Sequence, residues 1–409
     1  MISLAEAQEF VLARVSRLGA SFVALDSLLG RVLAQPVVST VAVPPFANTG
    51  MDGFAVRSAD VASVPVTLEV IGTIAAGYVA GREVGGGQAM RIMTGAPIPD
   101  GADAVVMVER CTVETDAAGI ERVTISESVD AGRHVRVAGD DIAVGDEVIP
   151  SGTLVTPGVI GVLCTVGLTG AVATARPVVG VMSTGDELVE PPTTLAAGQI
   201  YESNRRTLMA LLTQSGFDVV DLGLVADDDA AIEAALRDGA ARCDAVVTSG
   251  GVSMGDFDLV KVVLDRIGDM RWMQVAIKPA KPLAFGTIAD GGRHVPVFGL
   301  PGNPVSSMVS FELFARPALR KMAGHGALHR PRVAATAGVD MRRRRDGRTH
   351  FPRMTVTVDA EGGFVAHPSG AQGSHQLSAM VHADALAVLG DGDGVVAGDR
   401  LDIMILGGT

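Results

Sequence analysis

Aromatic residues are scarce, making up 4% of the 409-residue chain with one Trp and two Tyr. The cores must therefore be built from Val, Leu, Ile, Ala and Met, which the 48% hydrophobic content supplies. Cysteine is nearly absent as well. Cys111, Cys164 and Cys243 lie far apart, with no Cys-x-x-Cys and no His at ligand spacing, which excludes a disulfide framework and a structural zinc site. Positive charge is in deficit: the formal net charge is −13. That argues against a sequence-independent nucleic-acid binder, which needs a basic surface to release counterions. No nucleic-acid partner is expected, and any anionic substrate has to be captured by a local cluster of cations. The opening MISLAEAQEF lacks the basic and apolar regions of a secretory signal; with the cysteine usage, this leads to the expectation of a cytoplasmic protein. Residues 148–175 carry no charge, but Pro150, Pro157 and several glycines break them into turns and a short helix. A membrane span needs ~20 mostly apolar helical residues, so no membrane association is expected. Also missing are the Walker A lysine loop, Gly-x-Gly-x-x-Gly, His-Glu-x-x-His and Gly-x-Ser-x-Gly, and with them the main support for ordinary NTPase, dinucleotide, zinc-protease and hydrolase chemistry.

What is present is glycine (50) and proline (20) in a chain too apolar to be disordered, hence many tight turns. The most informative turn lies in residues 245–258, AVVTSGGVSMGDFD. A buried strand (Ala245, Val246, Val247) runs into Thr248, Ser249, Gly250, Gly251, Ser253 and Gly255, and a helix is predicted from about Phe257. Strand, small-residue turn and helix N-terminus make an anion cradle, because glycines let backbone N–H groups approach phosphate oxygens. Asp256 and Asp258 at its mouth suggest a bridging divalent cation, since acid and phosphate otherwise repel. One such loop is more often a plain connection, but two more loops of the same composition follow neighbouring strands: Ser183, Thr184 and Gly185 before Glu187, and Pro301, Gly302, Asn303 and Pro304.

Along the chain, Ser3 and Glu6 form a capping box before a helical stripe that runs to about residue 17. A second short helix is predicted at 26–33. Residues 44–57, PPFANTGMDGFAVR, crowd turn residues, and Asp52 taken alone has a structural role as its simplest explanation. Residues 64–148 read as β, with a long irregular passage at 91–104 of the kind that is more often functional than not. A helix capped by Thr156 returns at 156–167. From Pro177 short apolar strands alternate with helices, which predicts a doubly wound, mostly parallel sheet whose ligands sit beyond the strands' carboxyl ends. Asp227, Asp228 and Asp229 cap one of its helices, and Pro317 is expected to interrupt the last one. After Pro331 the pattern is strands and turns. The fold class is thus multidomain α/β: an N-terminal discontinuous α+β domain (1–43 and 143–176), an inserted β-rich domain (44–142), the central α/β domain (177–326) and a small C-terminal β domain (327–409). The basic run Arg342–Arg345 is expected to be a solvated hairpin tip. Lys278 and Lys281, in IKPAKP, sit beside Pro279 and Pro282, which restrict the backbone that carries the two ammonium groups; such a pair suits a compact oxyanion.

Six segments in order, PPFANTGMDGFAVR (44–57), RIMTGAPIPDGADAVV (91–106), STGDEL (183–188), TSGGVSMG (248–255), IKPAKP (277–282) and LPGNP (300–304), resemble the molybdopterin molybdenumtransferase family, the molybdenum insertases known as MoeA, to which the E domain of gephyrin belongs. The likeness spans nearly the whole chain; the smaller sibling that only adenylylates molybdopterin would match 177–325 alone, so the central domain is expected to be MogA-like. The resemblance implies a homodimer of four-domain subunits that takes adenylylated molybdopterin and molybdate, uses Mg²⁺, and releases AMP with the molybdenum cofactor. It further implies transient contact with the molybdopterin adenylyltransferase and with recipient apo-enzymes. By the same resemblance Asp52, Thr94, Asp141, Glu187, Asp227 and Asp258 are catalytic positions, with Asp52 offered across the dimer interface. Glu187, Asp227 and Asp258 are the metal acids. Lys278, Lys281, Arg353 and Ser374 form the molybdate pocket, and Pro301 and Pro304 shape it. A non-enzymatic scaffold of the gephyrin kind is one alternative, a phosphotransferase on another nucleotide-like substrate a second. Ala280 departs from the family's usual glycine; if that position needs φ > 0, its methyl group brings strain.

Overall fold

In the computed structural model, which describes residues 1–250 and 259–407, the chain divides into two compact units. One holds residues 1–21, 30–34 and 172–409, the other residues 22–29 and 35–171.

The first unit is organised around a six-stranded sheet. Its strands β1 (Val178–Thr184), β2 (Asp218–Val225), β3 (Ala245–Ser249), β4 (Gly268–Gln274), β5 (Pro282–Asp290) and β6 (Arg293–Leu300) stand in the order β2-β1-β3-β6-β5-β4. The first four in that order are parallel, and β5 and β4 add antiparallel at one edge. Around them lie α1 (Leu4–Ala13), α2 (Asn204–Gln214), α3 (Asp229–Arg242) and α4 (Leu259–Ile267). Because strand side chains alternate between faces, the buried runs divide between two cores. Val179, Val181, Ala245 and Val247 pack with Leu208 and Leu212 of α2. Met182, Val246 and Val297 pack with Ile232 of α3 and Val263 of α4. The doubly wound sheet read from the sequence is the one observed. Strands β4 and β5 are additions to that reading: β4 alternates Asp269 and Arg271 with apolar residues at a sheet edge and follows α4 directly, with Gly268 as its first residue.

Two local signals resolve differently from expectation. The helix expected at 26–33 is one 3-10 turn, Leu25–Ser27, after which Gly30 takes φ +77° and ends any helical continuation. The break expected at Pro317 is instead a π turn, Phe311–Ala315, joining α5 (Pro304–Ser310) to α6 (Arg316–Met322). Proline cannot donate to the carbonyl one turn back, and that carbonyl, of Leu313, accepts from Gln8 Nε2 of α1 at 3.0 Å. The capping box on α1 is present in full, Ser3 and Glu6 bonding each other's backbone N–H.

The same unit closes with a five-stranded barrel, Arg332–Ala337, Phe364–Pro368, Arg353–Val358, Ala385–Val388 and Arg400–Ile405. Here the expectation for the arginine run is corrected in part. Arg342 and Arg345 are exposed, but Arg343 is part-buried with its side chain largely covered; it pairs with Asp346 and Asp391 and donates to the carbonyls of Leu389 and Gly390. One arginine in four thus anchors the tip, because a guanidinium has enough donors to gather several strand-end oxygens.

Beyond α6, His325 has its pKa pushed down to about 4 by burial and by Arg320 and Arg316. An unfolded histidine takes its proton near pH 6.5 and the folded one only near 4, so stability falls as pH drops through that window. With His325 only half-buried, about 1–2 kcal/mol is expected at stake. His325→Gln should flatten this part of a melting-temperature-against-pH profile, and an unchanged slope would remove His325 as its cause.

The second unit is β-rich, as expected for residues 64–148. Its six-stranded sheet runs Ala104–Met107, Gly53–Val56, Gln88–Ile92, Val66–Ile74, Glu121–Ile125, Cys111–Thr115, over a core that includes Phe54, Leu68, Val106 and Val123. The helix Pro157–Thr165 follows, capped by Thr156. No helix among the described residues is long and apolar enough to cross a membrane.

Candidate active site

The first unit holds a cleft of about 510 Å³ between the sheet's loops and the barrel. Lys278 and Lys281 line it, as do Arg353 and Ser374, so all four residues assigned to the oxyanion pocket meet there. Among the described residues no Asp or Glu lines it. Both lysines are exposed, and among the described residues neither pairs with a carboxylate, so their charge is available to a ligand. Lys278 is set by the short parallel pairing of Ile277–Lys278 with Thr349–His350.

Arg353 serves the cleft differently. It is 1% exposed, and its guanidinium donates to the carbonyls of Ala371, Gln372 and Gly373 at 2.6–3.1 Å, while Nε has no partner. It therefore braces the loop that presents Ser374 more than it projects into the cleft. Arg348 and His350 also line the wall, and sequence reasoning missed both. Each contacts Asp346, which those partners hold well below the usual carboxylate range. Their only sequence signal is spacing near Arg353.

Ala280 sits at φ +75° and is 4% exposed, as the departure from glycine foreshadowed. Returning it to glycine relieves about 1 kcal/mol of left-handed strain but removes a buried methyl worth about 0.8 kcal/mol and frees the unfolded chain. Ala280→Gly is therefore expected to be near neutral in thermal melts. Ala280→Val, β-branched at positive φ, should cost about 2 kcal/mol; an equally stable valine variant would contradict this backbone.

The three loops all leave the carboxyl ends of parallel strands β1, β3 and β6, side by side in the sheet. Among the described residues, Ser183 is buried against the Glu202 carboxylate, Ser249 against the Asn204 amide, and Thr184 is buried as well, so these three side chains leave anion contacts to backbone N–H groups. Gly250 takes φ +93°, and a Cβ there would lie 3.1 Å from the Thr184 carbonyl. Pro301 and Asn303 line the cleft, while the carbonyl of Gly302 accepts from Asn204 and Pro304 starts α5.

At the loop mouths, Asp186 and Asp227 bond each other's backbone N–H groups at 3.2–3.4 Å. The Glu187 carboxylate folds over Gly185, where a Cβ would lie 2.6 Å from its Oε2. Such hard oxygen donors suit Mg²⁺, and in that sense the chemistry fits; among the described residues no three metal-ligating side chains yet converge. Asp258, Gly251, Ser253 and Gly255, named from the sequence, lie outside the described residues.

Comparison with known proteins shows the family. Residues 2–167 match the MoeA N-terminal region (domain I and II), residues 180–321 a probable molybdopterin binding domain, and residues 335–406 the MoeA C-terminal region (domain IV). The chain is 37% identical to a molybdopterin molybdenumtransferase of Haemophilus influenzae over 93% of this chain and 92% of that one. It is 38% identical to molybdopterin molybdenumtransferase 2 of Mycobacterium tuberculosis over 93% and 94%. The crystal structure of a molybdopterin biosynthesis MoeA protein from Pyrococcus horikoshii superposes with a TM-score of 0.82 at 27% identity, covering 99% of this chain and 100% of that one. This chain belongs to the molybdopterin molybdenumtransferase family. It is a transferase of molybdenum cofactor biosynthesis.

In this molybdenumtransferase the remaining sequence-assigned residues lie in the second unit. Thr94 gives both its N–H and its hydroxyl to Asp52 Oδ1, at 2.7 and 2.9 Å. Those bonds, the N–H first, hold the Asp52 carboxyl below its ordinary value. Thr94→Val, which keeps the N–H bond and removes the hydroxyl, should raise it measurably in an NMR titration; an unmoved pKa would mean that the hydroxyl bond does not form in solution. Asp141 is exposed, with its backbone N–H on the Val43 carbonyl. Glu202, Asn204 and Asp186 were missed; Glu-Ser-Asn directly before a predicted helix was the available signal.

Proposed function

We propose that this protein inserts molybdenum from molybdate into adenylylated molybdopterin, releasing AMP and using Mg²⁺. The observation that carries this is a cleft in which, among the described residues, no acid lines the wall and two lysines pair with no carboxylate, in a chain of net charge −13. Molybdate is a dianion, and beyond about one Debye length, ~8 Å, distant charges are screened, so the nearby ammonium groups outweigh the acidic surface. Lys278 and Lys281 attract and hold the oxyanion, Ser374 offers it a hydroxyl, and Arg353 fixes the loop that presents that serine. Backbone N–H groups of the loops after β1 and β3 receive the phosphate of the adenylate. Glu187 and Asp227, with Asp258, would hold Mg²⁺, which when bound neutralises phosphate charge and makes the anhydride a better electrophile. Holding both substrates on one sheet edge makes their encounter intramolecular in effect.

The assembly proposed is a homodimer in the cytoplasm, with Asp52 of the second unit offered to the partner's site. Relatives named molybdopterin molybdenumtransferase support the substrate class. The test is to load the enzyme with adenylylated molybdopterin and add molybdate. AMP release with cofactor formation is expected, and AMP that stays bound despite molybdate would overturn the proposal.

A further inference from the structure

Two subsites that must act on one another are joined by a single side chain. Asn204, the first residue of α2, donates from Nδ2 to Ser249 Oγ at 2.8 Å and to the Gly302 carbonyl at 2.6 Å. Ser249 ends β3 and opens the loop read as the phosphate cradle. Gly302 lies between Pro301 and Asn303, both of which line the cationic cleft. The orientation of the amide is set by the chemistry, because a backbone carbonyl can only accept.

Asn204 is itself held firmly. Two residues earlier, Glu202 is buried, and its Oε1 accepts from Ser183 Oγ at 2.9 Å and from the Arg205 N–H at 2.6 Å. The Arg205 guanidinium, also buried, is bound by Glu190 and Asp221. The start of α2 thus grips the ends of β1 and β3 and the loop after β6: Glu202 holds Ser183, and the Asn204 amide holds both Ser249 and the Gly302 carbonyl.

We propose that Asn204 is the positioning residue that sets the distance between the nucleotide cradle and the oxyanion cleft. This rests on the functional reading above. Asn204 touches neither the lysines nor the cleft, so each subsite keeps its own contacts without it. What is lost is their relative placement, and a misplacement of about 1 Å between reacting partners can cost ~100-fold in rate. The expected signature is therefore a fall in kcat with KM retained.

The experiment uses the full chain and compares wild type with Asn204→Ala, Asn204→Asp and Asn204→Gln. Molybdate-dependent AMP release gives kcat and KM, and AMP titration counts folded sites so that kcat refers to those alone. For Asn204→Ala, kcat per site is expected to fall about 10–100-fold, with KM for molybdate within about 3-fold of wild type. Asn204→Asp has the same shape but no donors and should be as poor, whereas Asn204→Gln keeps a two-donor amide and should recover part of the rate. A kcat per site unchanged in Asn204→Ala, or wild-type kcat in Asn204→Asp, overturns the positioning role. So does a loss seen in KM alone. Absence of molybdate-dependent AMP release from the wild type fails the underlying functional reading instead, a result separable from all of these.

Discussion

Replacing both cleft lysines, Lys278→Ala with Lys281→Ala, is expected to lower molybdate affinity by about 1,000-fold or more, with each single change costing about 10–100-fold. The size follows from Coulomb's law: at about 4 Å a unit charge near a protein surface contributes up to ~4 kcal/mol before desolvation, and the ligand carries two. Solvent exposure of both side chains reduces this, which is why the single estimates stay near one to two decades. Folding should be unaffected, because neither lysine pairs with an acid among the described residues and both are exposed. The check is molybdate titration at two salt concentrations. Wild-type binding should weaken with salt and the double variant's should respond less; equal affinity in the two proteins would remove the cleft from molybdate binding altogether.

Arg353→Met is expected to lower both stability and binding. It strips donors from three loop carbonyls, and hydrogen bonds to a charged group are worth about 1.5–3 kcal/mol each before water replaces part of the loss. With the loop partly exposed, a net loss of about 2–3 kcal/mol is expected. Reciprocal bonds between the Arg353 backbone and the Gln372 amide remain, so the loop loosens but stays attached. Arg353→Lys is the informative companion. An ammonium restores charge but lacks the planar fork that reaches three separate carbonyls, so stability should not recover. If lysine restores both stability and molybdate affinity in denaturation and titration experiments, charge alone explains this residue and the bracing role is wrong.

Much of the fold was legible because it rests on short-range signals. The runs that became β1, β3 and β6 are continuous and apolar, as strands covered on both faces must be. The capping box at Ser3 and Glu6 and the cap at Thr156 were read from residue type and spacing alone. Where expectation failed, a distant partner or backbone conformation was decisive. The edge strand β4 is defined by its ladder to β5, which its own half-polar sequence does not announce. Pro317 reads as a break until Gln8, far away in sequence, accounts for the freed carbonyl. Arg343 looks like its three neighbours until two aspartates and two strand-end carbonyls surround it.

The candidate site divides in the same way. Lys278, Lys281, Arg353 and Ser374 could be named beforehand, and the tertiary structure brought them to one cleft. It also turned Ser183 and Ser249, which look like phosphate ligands in sequence, inward to Glu202 and Asn204.

By itself the sequence determined the class of chemistry: apolar strands ending in small-residue loops, acids at their mouths, and two proline-flanked lysines in an otherwise acidic chain. Composition and local spacing suffice for that, because propensity, capping and turn formation act over a few residues. Only the tertiary structure decided which charges stay unpaired, which hydroxyls face inward, and which side chain joins cradle to cleft. Those properties arise between residues as far apart in the chain as Asn204 and Gly302, and no local pattern encodes such a distance.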